Sequence, residues 1–250
     1  MKNLILTLLV LAITIPTLIA QPAGYDKNFR KIGENHNKLI RYVLDRLTSN
    51  PNMREVNQLI SDGMAGIYKG ANVYDAYEKH PEFKTYVDDY HKAKDKVAYV
   101  NRYLSRNARV YFKQIITATN TESHEQLVEQ MESIIETVIA SELSTDEKNA
   151  LLYGASVGMS SSALWRGLEG PLMWKNSPEA PALATLSANG GEDILVSDAA
   201  GAVGGAAGSA TVTWILGPGI VPTSGAAGLF VGSGSSVATG VKKLWNWIVD

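Results

Sequence analysis

Residues 199–241 read AAGAVGGAAGSATVTWILGPGIVPTSGAAGLFVGSGSSVATGV and contain no charged side chain. Gly217, Pro218 and Gly219 form a strong turn signal inside this stretch and divide it into two arms of about twenty residues each. Two apolar arms joined by a tight turn are typical of a helical hairpin. We therefore predict a C-terminal helical hairpin within residues 194–250.

Small residues recur every four positions in both arms of this stretch. They are Gly201, Gly204, Gly205 and Gly208 in the first arm, and Gly228, Gly232, Ser236 and Gly240 in the second. Residues four apart lie on one helix stripe, so small side chains there let two backbones approach closely. Each Gly in a water-exposed helix costs about 1 kcal/mol relative to Ala, so these helices need close packing to return that energy. The spacing predicts a glycine zipper in which these eight residues form the helix-packing stripes.

Two other structures are compatible with a stretch so rich in glycine: a flexible loop and an arrangement of glycine-rich strands. Flexible linkers are rarely so apolar, and Val203, Trp214 and Phe230 favour burial. A helical arm of about twenty residues would reach about 30 Å, the thickness of the hydrocarbon core of a bilayer. The first arm is poor in strongly apolar residues. The sequence therefore leaves open whether the hairpin inserts into lipid or stays against the rest of the chain.

The C-terminal tail combines two cations with two indoles directly after the second arm. Lys242, Lys243, Trp245 and Trp247 are residue types that favour the headgroup level of a bilayer. The alternative is a C-terminal helix that packs its Trp residues onto the helical domain. We treat these four residues as a candidate membrane interface.

The N-terminus has the form of a secretory signal peptide over residues 1–20. Lys2 precedes an uncharged apolar run that extends to Ala20, and Gln21-Pro22 follow. An uncleaved membrane anchor is the alternative, although the apolar run is short for a span. The chain contains no cysteine, which excludes disulfides and thiolate chemistry. We expect an exported protein, secreted or periplasmic, that associates with a membrane.

Residues 21–169 show helical periodicity and predict a bundle domain. Apolar residues recur at three- and four-residue steps, and one longer helix is predicted between Tyr86 and Leu104. Ser123 and Ser144 each begin a capping-box pattern, which predicts two helix starts. The predicted fold class is all-α, a helical bundle followed by the glycine-zipper hairpin.

Residues 170–193 interrupt this helical pattern. They contain Pro171, Pro178, Pro181 and the pair Gly190-Gly191. Prolines and paired glycines disfavour regular structure, so this segment is predicted to be a linker or an irregular strap between the two parts of the chain.

The polar residues argue against common enzyme chemistries. Residues 154–158 match the nucleophile-elbow pattern, but a predicted helix leads into Ser156 and no histidine follows it. The four histidines have no metal-binding spacing, and no phosphate-binding glycine motif is present. Lys and Arg total 23 against 25 for Asp and Glu, with no visible basic stripe, so a nucleic-acid partner is not expected. We expect no enzyme activity, no cofactor and no metal.

The zipper resembles glycine-zipper, bacteriocin-like proteins that bacteria export. The resemblance is carried by the glycines of the two arms and by the turn at Gly217, Pro218 and Gly219, about a fifth of the chain. It implies membrane permeabilisation through self-associating helices, with the lipid bilayer as partner. Such peptides are usually short and basic, whereas this chain is long and slightly acidic. The alternative is a non-toxic cell-envelope protein whose zipper mediates assembly and whose helical domain binds a partner.

Overall fold

A computed structural model describes residues 27–46, 53–67, 78–79, 81–166, 180–208 and 230–234. Every regular element in these ranges is helical, which confirms the predicted all-α class. In chain order the helices are α1 (Lys27–Leu44), α2 (Met53–Ile67), α3 (Pro81–Lys92), α4 (Lys96–Val100), a 3₁₀ turn (Asn101–Tyr103), α5 (Arg106–Thr119), α6 (His124–Ala140), α7 (Thr145–Trp165) and α8 (Ala180–Gly208). Residues 230–234 are also helical.

Helix α7 lies at the centre of the bundle and packs against α1, α5, α6 and α8. Residues 150–158 of α7 are all buried. For more than two turns, therefore, no face of this helix is exposed to water. Helix α8 is buried in the same way over residues 197–206 and contacts α3, α4, α5 and α7. The surrounding helices are amphipathic, with α1 burying Ile32, Leu39 and Val43 while Lys31 and Lys38 stay exposed. The fold is therefore two apolar helices inside an amphipathic shell.

Both capping boxes predicted from the sequence are confirmed as helix starts. The Ser123 hydroxyl accepts a hydrogen bond from the Gln126 amide at 3.1 Å, and the Ser144 hydroxyl accepts one from the Glu147 amide at 3.3 Å. Each bond satisfies an amide that has no partner inside its helix. The Glu147 carboxylate also accepts a bond from the Ser105 amide at 3.0 Å, which connects the start of α7 to the start of α5.

The single helix predicted between Tyr86 and Leu104 is wrong, because the chain forms α3, α4 and a 3₁₀ turn there. The Asp95 side chain accepts a bond from the Ala98 amide at 2.8 Å and so begins a new helix. The Lys96 ammonium donates to the last carbonyls of α3, on Tyr90 and His91, at 2.5 and 2.8 Å. The apolar spacing continues across the break, but the two polar side chains cap separate helices.

The predicted linker over residues 170–193 is partly helical, since α8 begins at Ala180 and includes Gly190-Gly191. Pro181 is the second residue of α8, where the missing amide proton has no intrahelical acceptor in any case. Each glycine costs about 1 kcal/mol inside a helix, which the length and packing of α8 can offset. The boundary proposed at residue 194 therefore falls within one continuous helix.

Several sequence predictions lie outside the described residues. They are the signal peptide at 1–20, the turn at Gly217, Pro218 and Gly219, the second-arm residues Gly228, Ser236 and Gly240, and the tail residues Lys242, Lys243, Trp245 and Trp247. Within the described ranges, no helix is both long enough and apolar enough to cross a bilayer.

Arg166 connects the end of α7 by hydrogen bonds to the loop between α5 and α6. Its guanidinium donates to the carbonyl oxygens of Thr119 and Ser123 at 2.8 and 2.9 Å. Hydrogen bonds from a charged donor contribute about 1.5–3 kcal/mol each, and the planar fork of Arg reaches both acceptors at once. We expect Arg166→Gln to lower the free energy of unfolding by about 2 kcal/mol, measured by urea denaturation.

The matched control for this prediction is Arg46→Gln, because the exposed Arg46 guanidinium, just after α1, bonds the nearby Tyr42 carbonyl of α1 at 3.2 Å. Its loss should change stability by less than about 0.5 kcal/mol. Arg166→Lys should lose less stability than Arg166→Gln, because the ammonium can still donate a hydrogen bond. It should not reach the native stability, because it lacks the planar fork that reaches both carbonyls. Equal effects of the substitutions at Arg166 and Arg46 would show that the hydrogen bonds from Arg166 to the Thr119 and Ser123 carbonyls add no stability.

Candidate functional site

Three of the α8 glycines selected from the sequence, Gly201, Gly204 and Gly208, lie on tightly packed surfaces. A β-carbon placed at Gly201 would lie 2.8 Å from the Gly232 α-carbon and 3.0 Å from its amide nitrogen. The reciprocal β-carbon at Gly232 would lie 3.3 Å from the Asp198 carbonyl oxygen. The two backbones therefore meet at Gly201 and Gly232, an approach that larger side chains would prevent.

Two further glycines of α8 make room for a tyrosine ring rather than for a second glycine stripe. A β-carbon at Gly208 would lie 2.7 Å from Cε2 of Tyr86, and one at Gly204 would lie 2.6 Å from Cγ2 of Val100 and overlap the Tyr86 hydroxyl. Gly205 is buried as well. The first-arm stripe thus has two different neighbours, a backbone at Gly201 and an aromatic side chain at Gly204 and Gly208.

Tyr86 belongs to a cluster of four tyrosines that covers this part of α8. Its ring centroid lies 5.0 Å from that of Tyr103 and 5.6 Å from that of Tyr99. The fourth member, Tyr90, donates from its hydroxyl to the Ser197 carbonyl of α8 at 2.9 Å. Burial raises the pKa of Tyr86 well above its ordinary value, so the phenol stays uncharged at physiological pH. The cluster acts as an uncharged aromatic wall along α8.

Helix α7 presents small residues to the opposite side of α8. A β-carbon at Gly154 would overlap the Val203 side chain, and one at Gly158 would lie 3.7 Å from the Ala199 β-carbon. Both glycines of the apparent nucleophile elbow are therefore helix-packing residues. Ser156, between them, is buried; its hydroxyl donates to the Phe29 carbonyl and accepts from the Gly33 amide at 3.2 Å. This serine joins α1 to α7 and has no nucleophile geometry.

A polar cluster interrupts the apolar contacts where α1, α7 and α8 meet. Asp198 is fully buried and accepts a hydrogen bond from the Ser161 hydroxyl. The His36 Nε2 atom lies 3.8 Å from the same carboxylate oxygen, which is too long for a hydrogen bond. Asn37 lies 3.2 Å from His36 Nδ1 and donates to the Ser160 carbonyl at 2.7 Å. The cluster places one carboxylate directly before the uncharged segment that starts at Ala199.

Burial keeps two histidines uncharged, one beside α8 and one beside residues 230–234. Desolvation lowers the pKa of His36 from 6.5 to about 4, against a smaller opposing effect of the Asn37 hydrogen bond. The pKa of His91 is also lowered to about 4, first by burial and then by the Lys96 charge. A β-carbon at Gly234 would lie 3.2 Å from the His91 ring, so this histidine touches the 230–234 segment. Protonation of either ring would bring a charge into a buried packing surface.

The spacing of small residues predicted packing roles for Gly201, Gly204 and Gly208 but not the polar and aromatic residues that α8 contacts. Asp198, His36 and Tyr86 had no predicted role in this packing. Asp198 could have been noticed, because it is the last charged residue before the uncharged stretch. His36 and Tyr86 carry no signal in the sequence, since they are distant from α8 along the chain and approach it only after folding.

The side chains gathered here favour packing over chemistry. Within the described residues, no three His, Asp or Glu side chains are arranged to hold a metal ion. The Ser161, Asp198 and His36 groups are fully enclosed, and the histidine does not bridge serine and aspartate as a hydrolase requires. No protein-family model, curated protein or solved structure matches the chain.

Proposed function

We propose that the chain is an exported, membrane-active protein, bacteriocin-like in its use of a self-packing glycine zipper, which it holds inside a helical shell. The observation that carries this proposal is the burial of α8 on every side over residues 197–206, in a segment with no charge after Asp198. A helix without a polar face has no stable exposed state in water. It requires either the shell or another apolar environment.

The packing of α8 supports a helix that can exchange partners. Its contacts with α7 and with residues 230–234 include Gly154, Gly158, Gly201 and Gly232, so they depend in part on close backbone approach. In lipid, helices associate through the same small-residue contacts. The contact between Gly201 and Gly232 would therefore be retained if α8 and residues 230–234 left α7 together.

A cell-envelope protein without toxicity is the second candidate, and one observation favours it. Gly201 already meets Gly232 within one chain, and Gly204 and Gly208 already seat Tyr86. A zipper satisfied internally can serve as a permanent packing device. The two functions differ in whether α8 must leave α7. A cross-link between these two helices therefore distinguishes the two functions.

The α7–α8 contact offers a disulfide that tests this movement. The β-carbon positions of residues 158 and 199 lie 3.7 Å apart, close to the roughly 3.8 Å mean separation of disulfides. The chain has no cysteine of its own, so Gly158→Cys with Ala199→Cys creates a single possible pair. The nearest other neighbour of the new side chain is the flexible Met131 methyl at 3.2 Å.

We expect the reduced double variant to release dye from vesicles of equal phosphatidylglycerol and phosphatidylcholine, and the oxidised variant to release at least about tenfold less. Dithiothreitol should restore release, because it frees α8 from α7. The full chain and the form beginning at Gln21 should both be measured. Ala199→Cys alone, treated with the same oxidant, controls for effects of oxidation.

Each alternative result identifies a different function. Vesicle binding without leakage by any form would support the envelope role and reject membrane permeabilisation. Equal leakage by the oxidised and reduced double variant would show that permeabilisation does not require α8 to separate from α7. The absence of both binding and leakage would reject a membrane function.

A further inference from the structure

Helix α5 and the turn before it carry cations without any acidic residue. Between Asp95 and Glu122 the charged residues are Lys96, Arg102, Arg106, Arg109 and Lys113. The chain as a whole is slightly acidic, with a net charge of −2. The total charge therefore gives no sign of the local excess of cations in this segment. The absence of a basic stripe, inferred from the total charge, is therefore wrong for this segment.

Four residues of α5 share one exposed helix face. Arg106, Arg109, Val110 and Lys113 have the spacing i, i+3, i+4 and i+7, which places them together. All four are exposed, whereas Phe112 and Ile115 on the other side of α5 are buried. We call this set the α5 face. It presents three cations around one branched apolar side chain.

The exposed apolar groups of the molecule gather at this place. Among the described residues, the large hydrophobic side chains classed as exposed are Val110, at 56%, and Tyr103, at 42%. Both lie within the cationic segment, and Val110 is part of the α5 face. Water-exposed apolar groups between cations fit the boundary between lipid headgroups and acyl chains, where Lys and Arg extend their charges outward.

Within the described residues, no salt bridge joins a cation of the α5 face to a carboxylate. The ion pairs found within the described residues, such as those of Arg30 with Glu34 and Lys84 with Asp88, involve other cations. The one hydrogen bond that the Arg109 guanidinium makes in the part of the chain that the structure describes is from Nε to the uncharged Leu104 carbonyl, at 3.0 Å. The face therefore keeps its attraction for an external anionic surface.

Helix α6 carries the opposite charge on a face turned away from α5. Glu125, Glu129, Glu132 and Glu136 share one stripe of α6 by their spacing. The groove between α5 and α6 is lined on the α6 side by neutral residues instead, namely Gln130, Ser133, Ile134 and Thr137. An anionic surface would attract the α5 face and repel the glutamate stripe, so binding would have one preferred orientation.

We propose that the α5 face docks the chain onto an anionic lipid surface, in an orientation that turns the glutamate stripe of α6 away from the bilayer. This inference rests on the proposed membrane function and adds the surface that makes first contact. Lipid fits better than nucleic acid, because Val110 at the centre of the face offers nothing to a phosphate backbone but can enter the headgroup region.

The lack of native cysteine allows each face to be labelled separately with a thiol-reactive, polarity-sensitive dye. The label is placed at Val110→Cys on the α5 face and at Glu129→Cys on the glutamate stripe. With vesicles of equal phosphatidylglycerol and phosphatidylcholine, we expect a blue shift at position 110 and none at position 129. Phosphatidylcholine alone should shift neither, and added salt should reverse the shift by screening.

A charge variant tests the same surface without a label. Arg106→Gln, Arg109→Gln and Lys113→Gln together should weaken binding to the anionic vesicles about 100-fold, since each cation near such a surface is worth about fivefold. The matched control removes three exposed cations from other surfaces, Lys31→Gln, Lys38→Gln and Lys94→Gln, and should weaken binding less than about fivefold. Circular dichroism of both triple variants establishes that they are folded.

The outcomes distinguish this inference from the proposed function. A shift at position 110 without vesicle leakage supports the docking face and rejects permeabilisation. Leakage with equal responses at 110 and 129, or with equal losses in the two triple variants, keeps the membrane function and overturns the docking face. If vesicles leave the 110 label unchanged and unlabelled chain shifts it, the α5 face binds a second copy and the lipid inference is overturned.

Discussion

Gly201→Leu is expected to lower the free energy of unfolding by about 3 kcal/mol, because the new side chain has to enter a contact between two backbones. A β-carbon alone would lie 2.8 Å from the Gly232 α-carbon, and backbone cannot rotate away as a side-chain end can. Leu has the better helix propensity by about 0.8 kcal/mol, so the packing loss has to exceed that gain. Chemical denaturation followed by circular dichroism measures the difference.

Gly66→Leu is the matched control, since within the described residues a β-carbon at Gly66 has no neighbour within 4 Å. Its stability should be unchanged or slightly raised, because only the propensity difference acts there. A cycle with Gly232→Leu adds a second check, since two substitutions in one contact should cost less together than their sum. Equal stability of the Gly201 and Gly66 variants would show that residues 230–234 can separate from α8 without cost.

Acid is expected to destabilise the fold through His36, by up to about 3 kcal/mol between pH 6.5 and pH 4. Above pH 6.5 the imidazole is neutral in both the folded and unfolded states, and stability is at its full value. As the pH falls, the unfolded chain binds a proton that the folded chain excludes until about pH 4. The Asp198 carboxylate lies 3.8 Å from Nε2 and would favour the protonated ring. This attraction reduces the loss of stability, so about 3 kcal/mol is its maximum.

His36→Gln should remove this part of the pH dependence, because an amide does not titrate. Urea denaturation at several pH values between about 7 and 4 should show a shallower loss of stability in the variant than in the native chain. His124→Gln is the control, a half-buried histidine at the start of α6, and should retain the native slope. Parallel curves for His36→Gln and the native chain would rule out His36 as the titrating group.

The position of the two buried histidines gives this pH dependence a place in the proposed function. His36 faces Asp198 on α8, and His91 touches Gly234, so one ring lies against α8 and the other against residues 230–234. Each imidazole binds a proton more readily once it leaves this buried position, so acid favours the separation of these segments from the rest of the fold. Vesicle leakage by the reduced cross-link variant should accordingly increase as the pH falls below about 6.

Local patterns predicted much of the fold because they depend on neighbouring residues in the chain. The Ser123 and Ser144 caps were correct, since each needs only a hydroxyl and an amide three residues later. The break between α3 and α4 was missed, because the apolar spacing continues through it. The side chains of Asp95 and Lys96 nevertheless divide the chain there, Asp95 by capping the start of α4 and Lys96 by capping the end of α3. The predicted beginning of helix α8, at residue 194, lies too far along the chain. Pro181 and Gly190-Gly191 predicted an interruption there, although they disfavour a helix only locally.

The amino-acid sequence alone determined that the chain is helical and that Gly201, Gly204 and Gly208 lie on one stripe, because spacing along a helix sets which residues share a face. The tertiary structure decided what that stripe meets: Gly232 backbone at one position and the Tyr86 ring at the next two. It also brought His36 to Asp198 and separated the cationic α5 face from the glutamates of α6. These contacts join residues far apart in the chain, and only the packing of whole helices, which no local spacing encodes, fixes their partners.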